Sequence, residues 1–326
     1  MSSDAIIRNY HFVQFTKTLH TKLTTEINIK STRHHSVFNA CFDRFLMTIV
    51  NDTKVQCLDD ILDVTTGFEN ATRKMAEELA DKSIGMPVNN YKIISDVIKE
   101  TSQKYSSFQS KEHLTIKIKK HSIMCNEIKI DRTSRINYLL KKFDKLDVIS
   151  MLLRYEAIMY GYNHMSMDID TFEKWLKPYL PEGPLNEAMA SPLNAIVLTM
   201  NTPGVFCSLF YDTDKPFGSI GSFLNPTLSL DDYEGGWFAN ISPIQSLMDK
   251  SAERIIELLH SSKKSHVFIV TMINWTDCLA YELLSGTPFL KEKVVIPAED
   301  VKFYNSKEER LVHRREPIFM FVLAKT

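Results

Sequence analysis

The chain has no basic excess, no paired cysteine motif and no apolar run long enough to cross a bilayer, and each lack removes a class of protein. Lys and Arg total 39 against 40 for Asp and Glu, a formal net charge of −1 over 326 residues. A chain balanced in this way has no global field that gathers nucleic acid, so any RNA contact must come from a local patch. The five cysteines, Cys41, Cys57, Cys125, Cys207 and Cys278, are odd in number, far apart and never in a CxxC pair. They read as reduced, mostly buried thiols of a reducing compartment. No stretch approaches the roughly 18 to 20 apolar residues that a membrane span needs, and the N-terminus lacks a basic segment followed by an apolar one. The expectation is an intracellular protein, nuclear or cytoplasmic, neither secreted nor membrane-embedded. Repeats, low-complexity tracts and long charge blocks are missing. So are a Ser-His-Asp signature, a nucleophile elbow, a Walker loop and an HExxH motif, which leaves hydrolase and NTPase readings without support.

What is present is core-forming material, 44% hydrophobic, enough for one large domain or two ordinary ones. Val37, Phe38, Cys41, Phe42, Phe45, Leu46 and Ile49 recur at the three-and-four spacing of one helix face. Near 113–130 the period changes to two. Leu114, Ile116 and Ile118 alternate with Thr115, Lys117 and Lys119, and Ile128 and Ile130 follow the turn Cys125-Asn126-Glu127, a β-hairpin with one wet face. A second helix is expected from Ser134 to Tyr160, with Ile136, Leu139, Leu140, Phe143, Leu146, Val148, Ile149, Leu152 and Leu153 as its apolar face. Pro178, Pro181, Gly183 and Pro184 then break any helix.

Beyond them the rhythm is α/β. Candidate strands are Ala195 to Met200, Val205 to Tyr211, Gly236 to Ile241, His266 to Ile273, Lys293 to Ile296 and Ile318 to Leu323, with helices near Ile244 to His260 and Thr276 to Leu284. Continuous apolar strands such as Val267-Phe268-Ile269-Val270 suit a sheet covered on both faces. The expected architecture is α/β: a mostly helical N-terminal domain over residues 1–170 with its hairpin, then a doubly wound sheet over residues 171–326.

Three short motifs occur in order along the second part. They are Ala190-Ser191-Pro192-Leu193-Asn194, then Asp212-Thr213-Asp214-Lys215-Pro216-Phe217-Gly218-Ser219, then Gly235-Gly236-Trp237-Phe238-Ala239-Asn240-Ile241-Ser242-Pro243. By themselves, the second is a polar turn and Gly218 with Gly221 a weak nucleotide signal. Their order and spacing resemble the methyltransferase domain of the cap-specific adenosine-N6 methyltransferases, the phosphorylated-CTD-interacting factors, whose last motif reads Asn-Pro-Pro-Phe. The resemblance is close over about the last 140 residues and looser before Leu146.

It implies a Rossmann-like methyltransferase sheet, S-adenosylmethionine as cofactor, no metal, and capped mRNA or another RNA as partner. The cofactor side would comprise Ser191, Pro192 and Asn194 with Asp212, Asp214, Phe217, Gly218 and Ser219, the acidic residues accepting hydrogen bonds from the ribose or amino group. In the family's tetrad the asparagine side chain and the first proline's carbonyl accept the two amine hydrogens while the phenylalanine stacks on the base. Carried over, the catalytic positions are Asn240, Ile241, Ser242 and Pro243. One side-chain acceptor remains. The two prolines that restrict the loop are gone, and so is the ring, whose stacking is worth about 1 to 3 kcal/mol. Trp237, Phe238 or Trp275 would have to replace it. Two readings stand: an active enzyme with a borrowed aromatic, or a pseudo-methyltransferase serving as an RNA- or protein-binding module. The first tryptophan is Trp175, so the two-tryptophan WW module is missing and no WW-type contact with a polymerase tail is expected.

Other groups have plainer explanations beside functional ones. Arg33, His34 and His35 lack ligand partners at metal spacing. Lys117, Lys119, Lys120, Lys129 and Arg132, with Lys141, Lys142, Lys145 and Arg154 further on, form either an RNA-backbone surface or a charged face protecting a sheet edge. Arg310, His313, Arg314 and Arg315 read as a phosphate-facing cluster or a solvated loop.

Overall fold

A computed structural model describes residues 3–53, 67–82, 84, 87–106, 114–158, 165–200 and 203–325. The chain divides into two compact units, Met1–Asn163 and His164–Thr326.

The first unit opens with four helices, α1 (Ser3–Glu26), α2 (Thr32–Thr53), α3 (Gly67–Asp81) and α4 (Pro87–Ser106). The stripe on α2 is core: Phe38, Cys41, Phe42, Phe45, Leu46 and Ile49 are buried, and the Phe38, Phe42 and Phe45 rings follow one another at 6.0 Å. The hairpin has a third strand. β1 (Ile116–Ile118), β2 (Ser122–Cys125) and β3 (Ile128–Asp131) form an antiparallel sheet in that order; His113, where the hairpin was expected to begin, lies outside the described residues. The expected single helix from Ser134 is two, α5 (Ser134–Lys142) and α6 (Lys145–Glu156). The break has a local cause: Phe143 is extended and Asp144 caps α6, its Oδ1 accepting from the backbone N–H of Leu146 at 2.8 Å and of Asp147 at 3.3 Å. Tyr160, the expected end, lies outside the described residues. Asn9 ties α1 to α6 by accepting from Arg154 Nε at 2.7 Å and donating to Ser150 Oγ at 2.8 Å.

The second unit begins with β4 (Met165–Met167) and α7 (Ile169–Trp175), followed by β5 (Leu185–Ala190), β6 (Phe206–Ser208), α8 (Tyr211–Asp214), β7 (Gly236–Asn240), α9 (Gln245–Ser261), β8 (His266–Ile273), α10 (Leu279–Gly286), β9 (Leu290–Ile296), β10 (Lys302–Asn305), β11 (Arg310–His313) and β12 (Ile318–Lys325). β4 pairs with β10, which explains why this unit starts before residue 171. The main sheet runs β6-β5-β7-β8-β12-β9, with β6, β5, β7 and β8 parallel and β12 antiparallel to both its neighbours. From β5 the chain moves outward to β6, then returns past β5 to build β7 and β8 on the other side. This is the doubly wound, Rossmann-like arrangement, with its strand order reversing between β5 and β7.

Strands β7, β8 and β12 hold the core. Trp237, Phe268, Val270, Phe319 and Phe321 pack with Met248, Ala252, Ile255 and Leu259 of α9. Gly235 admits β7 to the sheet. It sits at φ +90°, and a Cβ there would lie 1.9 Å from the carbonyl oxygen of Pro184, so only glycine lets the two backbones approach.

Two expectations fail here. Ala195 to Met200 is a series of turns, held by Ala195 N–H to Ser191 O at 2.9 Å and Met200 N–H to Ile196 O at 3.1 Å; the strand is the preceding segment, β5. Val205 to Tyr211 shortens to β6, because Tyr211 already begins α8.

Candidate active site

The three motifs come together at one edge. Ser191–Asn194 is the turn leaving the carboxyl end of β5, Asp212–Ser219 follows the carboxyl end of β6, and Asn240–Pro243 joins β7 to α9. These strands are neighbours in the order β6-β5-β7 and flank the point where the strand order reverses. Ligands of open α/β sheets bind in the crevice at that point, outside the carboxyl ends of the strands.

Asn240 is the last residue of β7 and is half-buried. Parallel register sets it opposite Thr271 of β8, whose buried hydroxyl donates to Asn240 Oδ1 at 3.0 Å. That bond fixes the amide rotamer, and a carboxamide oxygen has a second lone pair to offer. Ile241 is buried with its N–H on Thr271 O at 3.0 Å, Ser242 is exposed, and Pro243 is half-buried. Thr271 was not foreseen, since nothing local in the sequence marks it; only the β7–β8 register brings it to the amide.

The cofactor-side residues divide between surface and interior. Ser191 and Asn194 build their own loop: Asn194 Oδ1 accepts from Ser191 N–H at 2.7 Å and Ser191 Oγ at 3.0 Å, while Asn194 Nδ2 donates to Met165 O at 3.2 Å. Ser191 and Pro192 are buried. Asp212 is exposed at the start of α8, whereas Asp214 is enclosed and accepts from Thr213 Oγ1 at 3.3 Å. Phe217 is buried. Gly218 caps a short 3-10 turn at φ +98°, which a Cβ would strain. Ser219 Oγ lies 2.7 Å from Ser208 Oγ and accepts from Gly221 N–H at 3.2 Å, so the segment after α8 returns alongside β6.

Two of the three replacement aromatics are excluded by burial. Trp237 is fully enclosed and stacks on Phe268 at 5.7 Å, and Phe238 packs edge-on against Phe172 at 5.6 Å; neither presents a face to a ligand. Trp275 is different. It lies just past the carboxyl end of β8, the strand adjoining Asn240, and is 39% exposed. Its backbone is pinned by Trp275 N–H to Ile273 O at 2.8 Å and by Cys278 Sγ donating to Trp275 O at 3.3 Å.

Burial raises the pKa of Cys207 on β6, keeping it a protonated core thiol. Among the described residues, no group of three or more His, Cys, Asp or Glu is gathered for a metal. Of the basic cluster read as either phosphate-facing or a solvated loop, Arg310 and His313 lie on β11, which pairs with β10, and Arg310 Nε is bonded to Glu308 at 2.6 Å.

Sheet order and site position define a Rossmann-like α/β protein with its ligand edge at the reversal of strand order. The family model described as the phosphorylated CTD interacting factor 1 WW domain matches residues 133–306, more than half of the chain. The chain belongs to that family. Its relatives include the mRNA (2'-O-methyladenosine-N(6)-)-methyltransferases of Mus musculus and Homo sapiens, each 30% identical over 132 residues. Those matches cover 40% of this chain and 17% of each relative, so the chain matches about a sixth of their length. A solved structure described as a class I S-adenosylmethionine-dependent methyltransferase of Listeria monocytogenes superposes over 91% of this chain and 89% of its own at 9% identity, with a TM-score of 0.31. A superposition that loose carries no argument.

Proposed function

We propose that the chain is an S-adenosylmethionine-dependent RNA adenosine-N6 methyltransferase acting on the cap-adjacent adenosine of mRNA, with Asn240 as its principal catalytic residue. The observation that carries this reading is a half-exposed amide, oriented by Thr271, at the carboxyl edge beside the reversal of strand order. The residues present fit the cofactor. Asp212 offers an exposed carboxylate for ribose hydroxyls, and Gly218, exposed and at positive φ, leaves its backbone accessible, with no atom closer than 4.0 Å to the Cβ position it lacks. When bound, the cofactor supplies a methyl group on a sulfonium centre.

The chain's part is to overcome the delocalisation of the adenine amine. Asn240 Oδ1 accepts one amine hydrogen and the Ile241 carbonyl accepts the other, which turns the nitrogen lone pair out of the ring plane toward the methyl carbon. Trp275 supplies the π face that Pro243 cannot. The relatives' activity toward mRNA supports RNA as substrate. The test is transfer of labelled methyl to capped adenosine RNA. The wild type turns over and Asn240→Ala does not; equal turnover by both removes Asn240 from the mechanism.

A second reading rests on Pro243 at the position of the ring and on the burial of Trp237 and Phe238. In it the chain keeps the scaffold and binds RNA or protein without turnover. Cofactor binding with no transfer, and transfer gained by combining Ile241→Pro, Ser242→Pro and Pro243→Phe, would establish it.

A further inference from the structure

The charge balance of the whole chain hides a strongly polarised segment in the first unit. Residues 114–145 carry nine Lys and Arg (Lys117, Lys119, Lys120, Lys129, Arg132, Arg135, Lys141, Lys142, Lys145) against three acids, a net of +6 in a chain whose total is −1. The three acids are already engaged. Glu127 accepts from Tyr10 Oη at 2.7 Å and Gln14 Nε2 at 2.8 Å, Asp144 caps α6, and Asp131 pairs with Lys129 at 2.7 Å. Among the described residues, Lys117, Lys119, Lys120, Lys141 and Lys145 are exposed and form no ion pair.

Sheet register sorts these charges onto one face. Ile123, Cys125, Ile128 and Ile130 point into the core, so the opposite face carries Lys117, Met124 and Lys129 in one row across the strands. Lys119 stands one step along, its N–H on Ser122 O at 2.8 Å. Alternate residues on a strand are about 6.7 Å apart and next-nearest strands about 10 Å apart, so the ammonium groups form a grid and do not merge into one point charge. Lys129 has its counter-charge in Asp131, whereas Lys117 and Lys119 stand at this spacing without an ion pair among the described residues, and uncompensated like charges are a cost to the fold.

The grid continues onto α5. Arg132 bonds to Lys119 O at 2.7 Å with Nη1 and to Asn137 Oδ1 at 2.9 Å with Nε, joining the β1–β2 turn to the helix. Next to Asn137, the Tyr138 ring has Arg135 at 5.6 Å and Lys142 at 5.8 Å. An aromatic set among cations beside a row of lysines is the combination that single-stranded nucleic acid uses, phosphates on the cations and a base on the ring.

We propose that the wet face of the β1–β2–β3 sheet, with the adjoining Arg132 and α5 cations, is a binding surface for the phosphate backbone of single-stranded RNA. The proposal rests on the RNA reading above for the identity of the polyanion; the charge and register stand without it. The spacing of Lys117 and Lys119 along one strand is comparable to the phosphate repeat of an extended RNA strand, and the surface reads charge without reading sequence.

The test is fluorescence anisotropy of a labelled, mixed-sequence single-stranded RNA against the full chain over a salt series. Wild type is compared with Lys117→Glu/Lys119→Glu/Lys129→Glu and with Lys117→Arg/Lys119→Arg/Lys129→Arg, each checked by circular dichroism. The charge-reversed variant is expected to bind roughly tenfold or more weakly, with the slope of log affinity on log salt reduced by about 2, near 0.7 for each phosphate that is no longer neutralised. The arginine variant is expected to bind like wild type. Unchanged affinity in the charge-reversed variant, no binding by wild type at low salt, or preference for phosphatidylserine vesicles over RNA overturns the proposal. Methyl transfer is scored separately: its absence, with lysine-dependent RNA binding intact, counts against the enzyme reading and leaves this surface standing.

Discussion

Trp275 and Trp237 make a controlled pair, because one tryptophan is exposed at the candidate site and the other is enclosed beneath it. Trp275→Ala removes a ring that is 39% exposed, so it loses less buried area than the same change at the fully enclosed Trp237 and should destabilise the fold less. What it loses is the stacking face, worth about 1 to 3 kcal/mol per base, or roughly 5- to 150-fold in kcat/KM toward adenosine RNA. Trp237→Ala does the reverse. Its ring is fully enclosed and lies at 18° to Phe268, and emptying such a site costs about 3 to 5 kcal/mol. That lowers the melting temperature by on the order of 10 °C for a unit of this size. The assay is initial-rate methyl transfer alongside thermal melting, with Trp275→Phe as the variant that restores a ring. If Trp275→Ala leaves kcat/KM unchanged, or melts as early as Trp237→Ala, the assignment of Trp275 as the stacking residue is wrong.

Thr271→Val deletes the hydroxyl that orients the Asn240 amide while keeping the side-chain shape, so kcat should fall roughly tenfold, about one hydrogen bond's worth, with KM little changed; an equal rise in KM would point to a role in binding instead. Gly235→Ala forces a Cβ onto the carbonyl of Pro184 at positive φ and should destabilise the second unit by roughly 2 to 4 kcal/mol in chemical denaturation, an effect a wild-type curve would contradict. Asp231 is held at about 2, below the ordinary 3.8, chiefly by the Ser262 hydroxyl and then by the backbone N–H of Lys263. Its folded pKa is depressed, so its contribution to stability is fully present above about pH 4 and is lost as pH falls toward 2; Asp231→Asn should flatten the acid limb of the stability curve over that window.

Much of the second unit was legible in the sequence because its central strands are buried on both faces. Val267-Phe268-Ile269-Val270 and Ile318 to Leu323 are continuous apolar runs, and they fall inside β8 and β12. The same cue misled at Ala195 to Met200, which is apolar yet folds as turns, because Ser191 O collects the N–H groups of Asn194 and Ala195 and starts a turn. It also hid β5, whose Asn186 and Glu187 look like surface residues. Both are buried and spent on backbone: Asn186 Oδ1 accepts from Val205 N–H at 3.1 Å and Glu187 Oε2 from Val197 N–H at 2.9 Å. Such bonds join residues ten or more apart and leave no periodic trace.

At the candidate site, the family resemblance of three motifs in order marked Asn240 and the loops after β5 and β6, and the fold sets them on adjacent strand ends. Which side chains face outward was not legible. Asp212 and Asp214 are two residues apart on α8, yet one is exposed and the other enclosed. Trp237 and Trp275 are equally aromatic in sequence, and only strand packing separates a core ring from a candidate stacking ring.

The central claim, that the carboxyl edge at the reversal of strand order holds the cofactor, is tested most directly by photo-crosslinking methyl-labelled S-adenosylmethionine to the intact chain and mapping the labelled peptides. Label confined to the segments following β5, β6 and β7, within residues 190–221 and 240–244, and competed away by unlabelled cofactor, is the expected result. Competable label confined to other parts of the chain, or no competable label at all, would contradict it.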